Sequence, residues 1–173
     1  MLNAVGVCLI LFACSALGFE KSRQYAGRIR QLRELQRMTL LLRGEITYRK
    51  AALPEALMRT AGKIREPFAG FLKKTAQRAD AFDSTRFSEL FAQEAESAFQ
   101  HTQLTGEDRK ELMLLGQYLG YLDIDMQENT IALYLQELEQ KIRLLQEEMP
   151  ARQKLYQSMG ILGGIFISIL FLP

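Results

Sequence analysis

Apolar residues return at helical spacing through the central part of this chain and give way, at both ends, to runs that no charge interrupts. At about 100° per residue, Leu32, Leu35, Met38, Leu42 and Ile46 share one side of a helix, while Arg23, Arg30, Arg33 and Arg37 share the other. This predicts a first long helix over about residues 20–51, continuous with the apolar stretch before it, with a core face and a basic face. A short helix is expected to begin at Pro54, with Glu55 in its first turn, and to end near Gly62. Another follows Pro67 and carries Phe68, Phe71 and Leu72. Asp83 or Ser84 is the expected cap of the next helix, in which Phe87, Leu90, Phe91, Ala95, Ala98 and Phe99 recur at helical spacing. Thr105-Gly106-Glu107-Asp108 reads as a capping box with an acid at its fourth place, opening a helix through Leu112, Leu115 and Leu119. The stretch from Gly120 to Asp125 reads as a turn.

The last periodic run is the sharpest. Ile131, Leu135, Leu138, Ile142, Leu145 and Met149 alternate steps of four and three, the spacing of a coiled-coil seam. It fits a seam inside one bundle and, equally in geometry, an intermolecular coiled coil. Pro150 predicts a kink or a break just after it, because proline removes a helix hydrogen bond. No run of alternating apolar and polar residues persists long enough to argue for a strand. The expected fold is therefore all-α: one helical-bundle domain of about six helices over residues 20–154, its long first and last helices forming an antiparallel pair.

Charge changes the reading of the ends. All 22 basic and 20 acidic residues lie between Glu20 and Lys154. Residues 1–19, as a helix, rise about 28 Å, which matches a bilayer's hydrocarbon core and predicts an N-terminal transmembrane helix. Residues 155–173 are expected to be a transmembrane or membrane-embedded segment, although the strictly apolar part runs only from Met159 to Leu172 and contains three glycines. Each segment carries its basic flank toward the middle of the chain: Lys21, Arg23, Arg28 and Arg30 after the first, Arg152 and Lys154 before the second. By the positive-inside rule the domain between them is expected to be cytoplasmic. The competing reading is an extracytoplasmic helical adaptor, processed or lipid-anchored at its N-terminal segment, where Cys14-Ser15-Ala16 supplies small residues. That segment lacks the basic start of a signal peptide. Cys8 and Cys14 point in different directions on a helix and cannot bridge one another.

Composition supplies little chemistry. There is no phosphate-binding loop, no dinucleotide fingerprint and no zinc-protease motif, and the single His101 has no partner in the sequence. Asp123, Asp125 and Glu128 resemble the start of a calcium loop. Yet Glu128 stands where such a loop needs glycine, and Tyr134 where it needs a bidentate glutamate. No enzyme activity, cofactor or metal is expected, and turn or cap roles are expected for the two aspartates. Residues 20–50 hold nine basic and three acidic residues, whereas 51–154 hold thirteen and seventeen. The basic face Arg23, Arg30, Arg33 and Arg37 thus suits anionic lipid or an acidic protein partner. Nucleic acid is not expected, since no aromatic interleaving or reading motif accompanies the arginines. Gly160 and Gly164 form a G-x-x-x-G step that lets membrane helices approach closely, with Ala13 and Ala16 or another subunit as the facing surface.

Several blocks together carry a resemblance. Leu115-Gly116-Gln117-Tyr118-Leu119-Gly120 with Asp123 and Gln127, and Lys154-Leu155-Tyr156-Gln157-Ser158-Met159-Gly160 running into Gly163-Gly164, are similar to the stage III sporulation protein AB family. Leu42-Arg43-Gly44-Glu45-Ile46 and Leu53-Pro54-Glu55-Ala56-Leu57 match its earlier portion. The resemblance implies a subunit of the membrane complex that endospore-forming bacteria assemble between mother cell and forespore, on the mother-cell side. It implies a soluble part resembling the bundle of the type II secretion and type IV pilus inner-membrane platform protein. The implied partners are a cytoplasmic hexameric ATPase of the secretion type, stage III sporulation protein AA, and other membrane subunits, with further copies of this chain in a homo-oligomer left open. Within the matching motif, Gly116, Gly120 and Asp123 are expected to shape a tight helix approach and turn rather than to touch a partner.

Overall fold

The computed structural model describes residues 2–81, 86–120 and 124–170, with continuous side-chain detail over 20–81, 86–120 and 126–151. Six helices follow one another: α1 (Leu2–Thr47), α2 (Leu53–Ala61), α3 (Phe68–Asp80), α4 (Phe87–Phe99), α5 (Gly106–Leu119) and α6 (Ile124–Leu170). No strand occurs among the described residues. The chain divides into two compact units, residues 30–142 and a second made of 1–29 with 143–173.

In the unit of residues 30–142, the apolar stripe of α1 becomes core. Leu32, Leu35, Met38, Leu42 and Ile46 are all buried. Thr39 joins them because its hydroxyl donates to the Leu35 carbonyl at 2.9 Å, which satisfies the only polar atom it brings inside. Pro54 falls in the first turn of α2, where its missing N–H costs nothing, and the helix closes at Gly62. The short helices pack through rings. Phe71 meets Phe91 edge-on with centroids 5.0 Å apart, and Phe99 lies 4.9 Å from Phe68 and 5.2 Å from Phe71. Such tilted and edge-to-face pairs add about 0.5–1.5 kcal/mol each beyond the area they bury. The apolar seam of α6 is buried at Ile131, Leu135, Leu138 and Ile142.

The capping box forms as the sequence predicts. The Thr105 side chain accepts from the Asp108 N–H at 3.3 Å, and the Asp108 carboxylate accepts from the Thr105 N–H at 2.9 Å. Three expectations are corrected. Helix α1 ends at Thr47, not near Ala51, and Lys50 beyond it sits at φ 49, a left-handed conformation that no helix continues. Helix α4 starts after Arg86 with no side-chain cap, so neither Asp83 nor Ser84, which lie outside the described residues, is its N-cap. Pro150 does not break α6, which runs through it to Leu170. Proline forfeits one hydrogen bond there, and the strong helix formers on both sides, Gln146-Glu147-Glu148-Met149 and Ala151-Arg152-Gln153-Lys154, carry the helix across.

In the unit of residues 1–29 and 143–173, the Tyr25 hydroxyl lies 3.3 Å from the Glu148 carboxylate, joining α1 to α6. Leu145 and Met149, the last positions of the seam, are only half-buried. Among the described residues no helix is long and apolar enough to cross a membrane.

Candidate functional site

Two surfaces stand out in the unit of residues 30–142. The first is the outer face of α1. Arg30, Arg33 and Arg37 are exposed there, opposite the buried leucines. None of them forms an ion pair or hydrogen bond among the described residues. Several other cations of this unit are engaged. Arg43 pairs with Glu128 at 3.1 Å, Arg59 with Glu55 at 2.7 Å, Lys63 with Glu45 at 2.6 Å, Arg78 with Glu94 at 2.8 Å and Arg109 with Glu96 at 3.2 Å. The α1 face thus clusters three arginines without acid partners among the described residues, a positive surface available to an anionic partner. Leu40 continues the same face one turn after Arg37 and is 52% exposed. Gly44 follows another turn on, and a side chain added there would meet nothing within 4 Å. Arg23, also exposed, belongs to the other unit.

The second surface lies between α5 and α6. A groove of about 250 Å³ has Leu115 and Tyr134 as its buried lining and Leu114, Tyr118 and Leu133 as an apolar rim, with Glu111 and Glu137 at its edges. The rim residues are 44–57% exposed, which is unusual for three large apolar side chains that touch one depression. The Tyr134 hydroxyl is buried and has no hydrogen-bond partner among the described residues. Burial, reinforced by Glu111, Asp108 and Glu137, holds that phenol protonated well above the usual tyrosine range. The volume falls below the ~300–1,000 Å³ of small-molecule pockets, so the groove suits one side chain of a protein partner better than a cofactor. One end is tied by Lys141, whose ammonium lies 2.6 Å from Glu111 and 3.3 Å from the buried Asp108.

The glycines of the matching motif sit at a different contact. A side chain on Gly116 would place its Cβ 2.6 Å from the Cγ of Phe91, and one on Gly120 would come within 3.2 Å of Phe87. Both glycines hold α5 against α4. Asp123 lies outside the described residues. Gly160 and Gly164 fall about one turn apart in α6, on one face of the helix. Glu128, the third carboxylate of the calcium-like stretch, is committed to Arg43, and His101 is exposed. Among the described residues no group of histidine, cysteine and carboxylate side chains is placed to hold a metal.

A family model described as stage III sporulation protein AB matches residues 3–172. The chain belongs to this family. The stage III sporulation protein AB of Bacillus subtilis (strain 168) is 25% identical over 173 residues, 99% of this chain and 100% of that protein. A solved structure of stage III sporulation protein AB has the same fold, with a TM-score of 0.64 at 23% identity over 71% of this chain and 96% of that one. In this member of the family the α5–α6 groove went unnoticed in the sequence. Its signal was present, since Leu114 and Tyr118 are four apart on α5 and lie off the stripe made by Leu112, Leu115 and Leu119.

Proposed function

We propose that this member of the stage III sporulation protein AB family is a non-enzymatic platform subunit of a secretion-like membrane complex in endospore formation. Its charge-free ends attach it to the bacterial cell membrane on the mother-cell side, with Gly160 and Gly164 packing helix against helix there. Its helical bundle faces the cytoplasm and docks a secretion-type ATPase and neighbouring membrane subunits. The observation that carries this reading is the α1 face, where Arg30, Arg33 and Arg37 cluster on one side of the helix, exposed and without an ion pair among the described residues. Arginines without intramolecular acids contribute little to stability, so their clustering fits binding outside the chain. Arg23 and the row of three are assigned to that docking, or to anionic lipid where a flank meets the membrane.

The test is reversal of all four arginines to glutamate in the full chain. Membrane assembly and co-purification of the candidate ATPase should both fall by at least tenfold, with helix content unchanged. Retention of both functions by the variant is incompatible with docking at this face. Reporter fusions at the two ends fix the topology, and an extracytoplasmic position of the bundle overturns the proposal.

A further inference from the structure

The α1 face sets an exposed leucine beside arginines, and the α5–α6 groove sets an apolar seat beside glutamates, so the two are complementary in polarity and charge. The face presents one leucine, Leu40, behind Arg33 and Arg37 and ahead of Gly44, in steps of four, three and four that keep all of them on one side of the helix. The groove offers an apolar seat rimmed by Leu114, Tyr118 and Leu133 and, beside it, Glu137, which is exposed and makes no ion pair among the described residues. Neither surface is covered by the described residues of its own copy. The missing side chain at Gly44 lets a second surface come close to the backbone just past Leu40. Tyr134 closes the floor of the groove, with its hydroxyl buried beneath the surface.

We propose that the neighbouring subunit met by the α1 face is a second copy of this chain, with Leu40 of one copy seated in the α5–α6 groove of the next and Arg37 paired to Glu137. This rests on the reading that the arginine face docks protein. The two patches differ, so the contact is heterologous: each copy keeps one free face and one free groove, and copies add head to tail until a ring closes or a filament grows.

The experiment uses the full chain in detergent micelles, with association measured by sedimentation. Leu40→Glu and Leu133→Glu change residues that are 52% and 57% exposed, so both variants fold, which circular dichroism checks. The wild type should form species larger than a dimer. Each variant alone should associate at least tenfold more weakly. Mixed in equal amounts they should form a dimer and stop there, because one supplies an intact groove and the other an intact leucine. A monomeric wild type, association of either variant at wild-type strength, or a mixture that stays monomeric overturns the inference. Arg37→Glu should weaken association and Glu137→Arg in the facing copy should restore it; no restoration removes the assigned ion pair. A monomeric wild type that still retains the ATPase sinks this inference alone, whereas an associating chain that fails to retain it sinks the platform reading alone.

Discussion

Helix α5 meets α4 and α6 in opposite ways. Against α4 it carries Gly116 and Gly120, and the rings of Phe91 and Phe87 occupy the space where side chains would stand. Against α6 it carries Leu114 and Tyr118, which do not close the gap and leave a groove with an unpartnered hydroxyl as part of its lining. The first contact is filled to the density of a protein interior, where one added methyl group is felt. The second is held by polar links at one end, Lys141 to Glu111 and Asp108, and is open along its apolar part. One helix thus separates a contact devoted to stability from a contact with room for a partner.

Breaking the closed side should have the largest effect. Gly116→Leu drives a branched side chain into Phe91, which also meets Phe71 edge-on, and overpacking of this kind costs about 3 kcal/mol or prevents folding. Urea denaturation measures it, and a loss below about 1 kcal/mol means that α4 and α5 move apart freely, contrary to the contrast drawn here. On the other side, Lys141→Met removes the Lys141 ammonium from the buried Asp108 carboxylate. The expected loss is about 1–3 kcal/mol, less than for a fully buried pair, because Lys141 is partly exposed and Asp108 keeps its bond from the Thr105 N–H.

A smaller effect sharpens the comparison through pH, at a buried acid remote from the groove. Glu45 is 3% exposed, and the hydrogen bond from Lys63, helped by Arg49 and opposed by burial, lowers its pKa below the ordinary 4.5. A lowered folded value means that the unfolded chain binds the proton first. The stability Glu45 contributes is therefore complete above about 4.5 and disappears as the pH falls through the lower folded value. Glu45→Gln should flatten that acid limb of the stability curve; an unchanged limb assigns the acid loss to other carboxylates. The smallest change is Tyr134→Phe, which removes the orphan hydroxyl from the groove. Stability should stay constant or rise by up to about 1 kcal/mol, since no hydrogen bond is lost. A loss larger than that shows that the hydroxyl has a partner in the folded chain and that the groove is already satisfied.

Much of this was legible in the residues themselves. The core face of α1, the ring-bearing positions of α4, the Thr105–Asp108 box and the first part of the α6 seam follow from local rules, because spacing alone sets which side chains share a helix face. The arginine row was legible for the same reason. Its lack of intramolecular partners was not, since Arg43 and Arg37 look alike in sequence and only the position of Glu128 distinguishes them. The break offered as one outcome at Pro150 does not occur, because a local breaker acts against the helical preference of residues on both sides, and that balance is not set by the proline alone.

The sequence by itself determined the six helices, the family and the segregation of charge from both ends, all of which depend on neighbours within a few turns. Only the tertiary structure decided which apolar residues remain uncovered. Leu114, Tyr118 and Leu133 carry the same hydrophobic drive as Leu115 and Leu138, and whether each is buried depends on how far apart α5 and α6 pack. That separation is fixed by side chains distant in sequence, Phe91 on one flank of α5 and Lys141 on the other, and no local pattern encodes it.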